Sequence, residues 1–165
     1  FSVTKKTGFI GLGAMGHPMA QNMLKAGIPL VIHDIDDGKT KILSESGAIV
    51  ASSPIEVAKM ADRIVCLVET TDQANDIICG PEGIIHGARN GSIVICMSTI
   101  DPLVAKRIGA DLDKKNIEFV NKKRTEINKK NLEQKKIAKE VYEKIKKKLI
   151  IFRKETKDSV WNAFK

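Results

Sequence analysis

Gly11-Leu12-Gly13-Ala14-Met15-Gly16 sets three glycines in a G-x-G-x-x-G pattern. Before it lies an apolar run, Gly8-Phe9-Ile10, and after it Met15, Met19, Met23 and Leu24 recur at helical spacing. A strand, a glycine turn and a helix in that order are the parts of an anion cradle. Gly11 permits the tight turn, Gly13 lets the backbone approach a pyrophosphate, and Gly16 allows the helix to pack closely on the strand. The free N–H groups and positive dipole end of the helix would face the anion. The alternative is three glycines that serve a turn and nothing else. The strand before and the helix after favour a dinucleotide loop made of all six residues from Gly11 to Gly16.

Asp34 stands 18 positions after Gly16, at the end of a second apolar run, Leu30-Val31-Ile32-His33. A carboxylate there can accept hydrogen bonds from the adenosine ribose hydroxyls, and its charge repels a 2′-phosphate. Asp36 and Asp37 add negative charge, and no Arg or Lys follows until Lys39. NAD is therefore the expected cofactor, with NADP less favoured. The alternative for Asp34 is a solvated turn aspartate, because turns favour Asp in any case. His17, His33 and His86 share no spacing that suits a metal or an acid–base pair, so no metal site is expected. Cys66, Cys79 and Cys96 are odd in number and also lack metal-ligand spacing. Reduced structural thiols are expected.

These residues must be held by elements. Ala48-Ile49-Val50 reads as a third strand, and Gly47 marks the end of the helix before it. Ser53-Pro54-Ile55-Glu56 reads as a helix start, with Ser53 capping, Pro54 where no N–H is needed, and Glu56 completing a capping box. Arg63-Ile64-Val65-Cys66-Leu67-Val68 and Ser92-Ile93-Val94-Ile95-Cys96-Met97 are apolar without alternation, as central parallel strands buried on both faces should be. Helical segments are expected around 72 to 79 and 82 to 88, and Asp101-Pro102 opens a helix that runs through Lys115. Ile117-Glu118-Phe119-Val120 closes the pattern. Strands alternating with helices at this spacing predict an α/β fold, a Rossmann-type doubly wound parallel sheet in the order 3-2-1-4-5-6.

Composition changes after Val120. Residues 1 to 120 carry 12 basic and 14 acidic side chains, whereas residues 121 to 165 carry 16 and 6, which accounts for the overall +8. The expected organisation is a dinucleotide-binding domain over 1–120 and a lysine-rich tail over 121–165. Ile137, Val141, Ile145 and Leu149 recur every fourth residue, which predicts an amphipathic helix over residues 130 to 152 that can support self-association. Few aromatics and no recognisable motif accompany the tail lysines, so specific nucleic-acid binding is not expected. No apolar run is long enough to span a membrane, and residues 1–6 lack the pattern of a signal peptide. A cytoplasmic location is expected, with the mitochondrial matrix as the alternative. Phe1 in place of an initiator Met implies a removed residue, tag or leader.

With these elements in place a family resemblance becomes specific. Gly8 to Gly16, then Pro18-Met19-Ala20 and Asn22, resembles the opening of the β-hydroxyacid dehydrogenases, the 3-hydroxyisobutyrate dehydrogenase group related to 6-phosphogluconate dehydrogenase. Ser52-Ser53-Pro54, Ala61-Asp62-Arg63-Ile64-Val65, the stretch Gly80 to Gly91, and Ser98-Thr99-Ile100-Asp101-Pro102 follow in the family's order. The resemblance implies that Val68, Glu69 and Gln73 run beside the cofactor. It also implies that Thr99 lies near the nicotinamide riboside and Ser98 beside a substrate carboxylate.

Two positions inside that stretch depart from the family: Glu69 stands where Pro is usual, and Cys96 where Asp is frequent. After Val120 the departure is complete. The family continues with an Asp-Ala-Pro-Val-Ser-Gly-Gly stretch that binds substrate and a catalytic lysine in a Gly-x-x-x-Lys-x-x-Asn setting. This chain has Asn121-Lys122-Lys123-Arg124-Thr125-Glu126, and none of its tail lysines stands in that setting. No catalytic residue is assigned. The expectation is the NAD-binding domain of a 3-hydroxyisobutyrate dehydrogenase-like oxidoreductase, truncated and inactive alone, taking a small β-hydroxyacid only if a second domain is supplied. The alternatives are a non-catalytic cofactor-binding or interaction module with a basic partner-binding tail, and a polyanion-binding protein on the same scaffold.

Overall fold

The computed structural model describes residues 6–121. The tail helix expected over residues 130 to 152, and self-association through it, lie outside the described residues. Along the described chain, strands and helices alternate as β1 (Thr7–Ile10), α1 (Gly16–Lys25), β2 (Leu30–His33), α2 (Asp37–Glu45), β3 (Ile49–Val50) and α3 (Pro54–Met60). They continue as β4 (Arg63–Cys66), α4 (Thr71–Cys79), α5 (Ile84–Gly87), β5 (Ile93–Cys96), α6 (Pro102–Asp113) and β6 (Glu118–Asn121).

All neighbouring strands are parallel, in the order β3-β2-β1-β4-β5-β6. This is the expected doubly wound sheet. The apolar runs become its interior, with Phe9, Val31, Ile32 and Ile64 wholly buried. Each such side chain contributes about 1.5–3 kcal/mol by leaving water. Surface ion pairs are worth about 0–1 kcal/mol, so burial decides the stability of the sheet. The edge strand β3 behaves differently, since Ile49 and Val50 are both exposed.

β1 pairs with β2 on one side and with β4 on the other. After β3 the chain therefore crosses β1 and builds the second half of the sheet outward. That reversal opens a crevice beyond the carboxyl ends of β1 and β4, where ligands of doubly wound sheets bind.

Helix starts explain how the flanking loops are fixed. Asp36 caps α2 by accepting from Gly38 N–H at 3.0 Å, and Asp101 caps α6 by accepting from Leu103 N–H at 2.7 Å and Val104 N–H at 3.2 Å. The start of α3 corrects an expectation: the Ser53 side chain makes no capping bond. Glu56 instead accepts from Ser52, from its N–H and from its Oγ at 2.7 Å. The carboxylate goes where two donors converge, one residue upstream of the expected partner. The capping box that does form is at α4, between Thr70 and Gln73.

Candidate dinucleotide site

The glycine loop follows β1 directly. Gly11 has φ +93°, and a Cβ on it would lie 2.0 Å from Leu67 O, so conformation and space both demand glycine. A Cβ on Gly16 would lie 1.9 Å from Gly11 O, which brings α1 close onto the loop. Gly13 is different. A Cβ there meets nothing within 4 Å, so its backbone faces open space on the side a ligand would fill. Met15 precedes α1 without any side-chain cap, and no acidic side chain stands in the first turn. Within that turn His17 N–H donates to Gly13 O at 3.0 Å and Pro18 has no N–H, which leaves the Gly16 N–H and the positive end of the helix to face an anion. Ala14 and Met15 are exposed, and Leu12 is buried.

Asp34 follows β2, and its side chain is only 7% exposed. Its Oδ2 accepts from Leu12 N–H at 2.6 Å, and its Oδ1 accepts from Asp36 N–H at 2.9 Å. Asp34 is therefore not a solvated turn residue. It binds the glycine loop to the end of β2 and holds one carboxylate beside that loop. Lys39 comes back to within 3.6 Å of the same carboxylate, although in sequence it looked remote.

The loops beyond β4 and β5 are joined to each other. Val68 N–H donates to Ser98 Oγ at 2.8 Å, and Asp101 N–H donates to Thr71 Oγ1 at 3.1 Å. Gln73 Oε1 accepts from Glu69 N–H at 3.1 Å and from Thr70 N–H at 3.2 Å. Ser98 is buried, whereas Glu69, Gln73 and Thr99 are exposed. The residues assigned by resemblance thus share one strand-end rim, on which Ser98 and Gln73 hold the backbone in place. Thr70 and Thr71 were missed, though the spacing of Thr70 and Gln73 is itself a capping-box signal.

Below this rim Cys66 and Cys96 are opposite each other in the β4–β5 register, both free and buried. Thiol donation from Cys66, together with Ser98 and the Asn121 side chain, draws Cys96 down to about 7 against the burial that raises it. Cys66, the donor of that pair, is pushed up. Cys96 stands at the position where the resemblance places a carboxylate. His33 Nδ1 lies 3.0 Å from Ala51 O, and no group of His, Cys, Asp or Glu suits a metal ion among the described residues. No helix there is long and apolar enough to cross a membrane.

Comparison with known proteins agrees with this geometry. Residues 6–122 match the family described as the NAD binding domain of 6-phosphogluconate dehydrogenase. The mitochondrial 3-hydroxyisobutyrate dehydrogenase of Mus musculus is 42% identical over 122 residues, which is 73% of this chain and 36% of the mouse protein. A solved 3-hydroxyisobutyrate dehydrogenase from Salmonella typhimurium aligns with TM-score 0.65 and 31% identity, over 70% of this chain and 40% of that one. Psf3, solved in complex with NADP+ and 2-OPP, aligns with TM-score 0.65 and 25% identity, over 68% of this chain and 40% of that one. The chain thus spans about a third of the length of the curated relatives it matches, 36% for the mouse protein. With its fingerprint loop, strand order and sequence all in agreement, the chain belongs to the NAD-binding domain family of 6-phosphogluconate dehydrogenase.

Proposed function

We propose that the chain binds NAD in preference to NADP beyond the carboxyl ends of β1, β2 and β4. We also propose that these 165 residues do not by themselves turn over a substrate. The observation that carries the reading is the Asp34 carboxylate, held beside the glycine loop by Leu12 N–H. In this reading Gly11 to Gly16 hold the pyrophosphate, with Gly13 giving it room. Asp34 accepts from the ribose hydroxyls and repels a 2′-phosphate. Val68, Glu69, Gln73 and Thr99 border the nicotinamide end, and Ser98 fixes that border through Val68.

The bound nicotinamide supplies hydride transfer. The chain's own task is to orient it. The names of the relatives support a small β-hydroxyacid as the substrate class, to be engaged with groups from a second domain. Calorimetric titration of the 165-residue chain with each cofactor tests the reading. NAD is expected to bind at least about tenfold more tightly than NADP, a gap of about 1.4 kcal/mol. Equal affinities would overturn the role of Asp34.

A further inference from the structure

Cys66 and Cys96 have no task in binding a dinucleotide, yet the fold brings them together. They are the last residues of β4 and β5 and stand opposite each other in the register. Partners in a parallel register project from the same face of the sheet. Neighbouring strands run about 4.7–4.9 Å apart, which lies inside the roughly 4.4–6.8 Å between Cα atoms that a disulfide requires. Both cysteines are free, and Cys66 hydrogen-bonds to Cys96.

We infer that Cys66 and Cys96 form a redox modification site: a small hydroperoxide closes them into a disulfide that loosens the rim after β4 and β5, and a dithiol reopens it. The disulfide stands on the pairing of the two strands alone. Its effect on cofactor binding rests on the reading of the rim given above.

The two sulfurs take different parts. Cys96 is the nucleophile, because donation from Cys66 and from the Ser98 and Asn121 side chains favours its thiolate, while Cys66 is held as the thiol. With hydrogen peroxide, the Cys96 sulfur bonds to one oxygen, the O–O bond breaks, and the departing hydroxide takes up a proton and leaves as water. The Cys66 sulfur then attacks the sulfenic sulfur of Cys96, so that an S–S bond forms and the S–O bond breaks, and a second water carries away the Cys66 proton. Two thiols and one peroxide thus give one disulfide and two waters. Cys66 and Cys96 are 0% and 1% exposed, which shuts out bulky oxidants and favours one of nearly water size.

Ser98 carries the consequence to the rim. Its side chain hydrogen-bonds to Cys96, and its Oγ accepts from Val68 N–H at 2.8 Å. A disulfide sulfur is a poorer acceptor than a thiolate, and a buried hydroxyl left without an acceptor is costly. Ser98 must then turn toward another acceptor. The tie to Val68 loosens, and with it the border of the nicotinamide end.

The test adds hydrogen peroxide to the reduced 165-residue chain, alkylates the remaining thiols, digests at basic and acidic residues, and weighs the peptides. Glu69 lies between Cys66 and Cys79, so the digest tells those two apart. The expected product joins Cys66 to Cys96, leaves Cys79 alkylated, and disappears after dithiothreitol. Calorimetry on the same samples should show NAD bound about five- to tenfold more weakly after oxidation, with affinity restored by dithiothreitol. Cys66→Ala should form no such product, and Cys79→Ala should form it as the unmutated chain does. Cross-links between chains, pairing with Cys79, or oxidation that stops at a single sulfur would overturn the site. An unchanged NAD Kd in a chain that carries the disulfide would overturn its hold on the rim. If the reduced chain binds no NAD, the cofactor reading falls, and the digest still decides the disulfide.

Discussion

The backbone N–H of Leu12 donates to Asp34 Oδ2 at 2.6 Å, a charge-assisted bond that joins the glycine loop after β1 to the end of β2 beside the Gly11 N–H to His33 O bond at 3.1 Å. Leu12 is buried, which leaves its N–H poorly placed to use water instead. The carboxylate that is read as the ribose ligand therefore also shapes the loop read as the pyrophosphate cradle. In that reading cofactor affinity and loop integrity meet in one side chain.

Asp34→Ala should consequently do two things at once. Leaving the Leu12 N–H without its acceptor is expected to cost about 1–3 kcal/mol of stability. NAD affinity should fall about tenfold or more, with a smaller loss for NADP, so that the gap between them narrows. Asp34→Asn keeps one oxygen for one of the two backbone donors and should lose less stability while still narrowing the gap. Thermal melts paired with titrations separate the effects. A melt of Asp34→Ala that overlays the unmutated one would show that the bond to Leu12 contributes nothing.

The three fingerprint glycines should separate by role. Alanine at Gly11 or Gly16 would set a Cβ 2.0 Å from Leu67 O or 1.9 Å from Gly11 O, so both changes are expected to disturb the fold. Valine at Gly13 meets no protein atom within reach of its Cβ, so the fold should survive while the ligand space is filled. Circular dichroism should show a native melt for Gly13→Val, and titration should show no NAD binding. Normal binding by a natively folded Gly13→Val would contradict the cradle.

The strand order was legible because each inner strand is a continuous apolar run, as in β4 and β5, and because the fingerprint marks where β1 ends. Helix starts were less legible. Ser53 and Glu56 have capping-box spacing, but spacing says only which groups can meet, and Ser52 offered Glu56 both an N–H and an O–H. The long-range ties were not legible at all. Leu12 with Asp34 and Val68 with Ser98 are 22 and 30 residues apart, and only the folded sheet brings them together. Lys39 was discounted by its distance along the chain, whereas the turn into α2 folds it back onto Asp34.

Glu56 gives a pH prediction. The N–H of Ser52, then its hydroxyl, with a smaller contribution from Lys59, hold the Glu56 carboxyl below its ordinary 4.5. The folded state thus binds its proton less readily than the unfolded state does. Its contribution is complete above the unfolded value and is lost as pH falls through the lower folded value. Glu56→Gln should therefore flatten the acid side of the melting curve below pH about 4.5 and leave its shape near neutrality unchanged. Melting temperatures measured across that range decide it, and parallel curves for the two proteins would refute the assignment.

The last prediction concerns turnover. Hydride transfer needs the nicotinamide placed against a substrate in a closed site, and proton transfer needs a positioned acid or base. In the family that this chain resembles, those tasks fall to the Asp-Ala-Pro-Val-Ser-Gly-Gly stretch and to the lysine of Gly-x-x-x-Lys-x-x-Asn. Neither occurs within these 165 residues, and the chain runs from Val120 into Asn121-Lys122-Lys123-Arg124. The protein is expected to oxidise 3-hydroxyisobutyrate, L-serine and related small β-hydroxyacids no faster than an enzyme-free control, even where NAD binds. Deleting residues 122–165 should leave the NAD Kd within about twofold, since every residue assigned to the cofactor precedes them. Dehydrogenase assays across that substrate panel, with the full chain and the deletion side by side, read both halves. Robust turnover that disappears on deletion would mean that a tail residue supplies the missing acid–base group, and would overturn the reading of these residues as cofactor-binding alone.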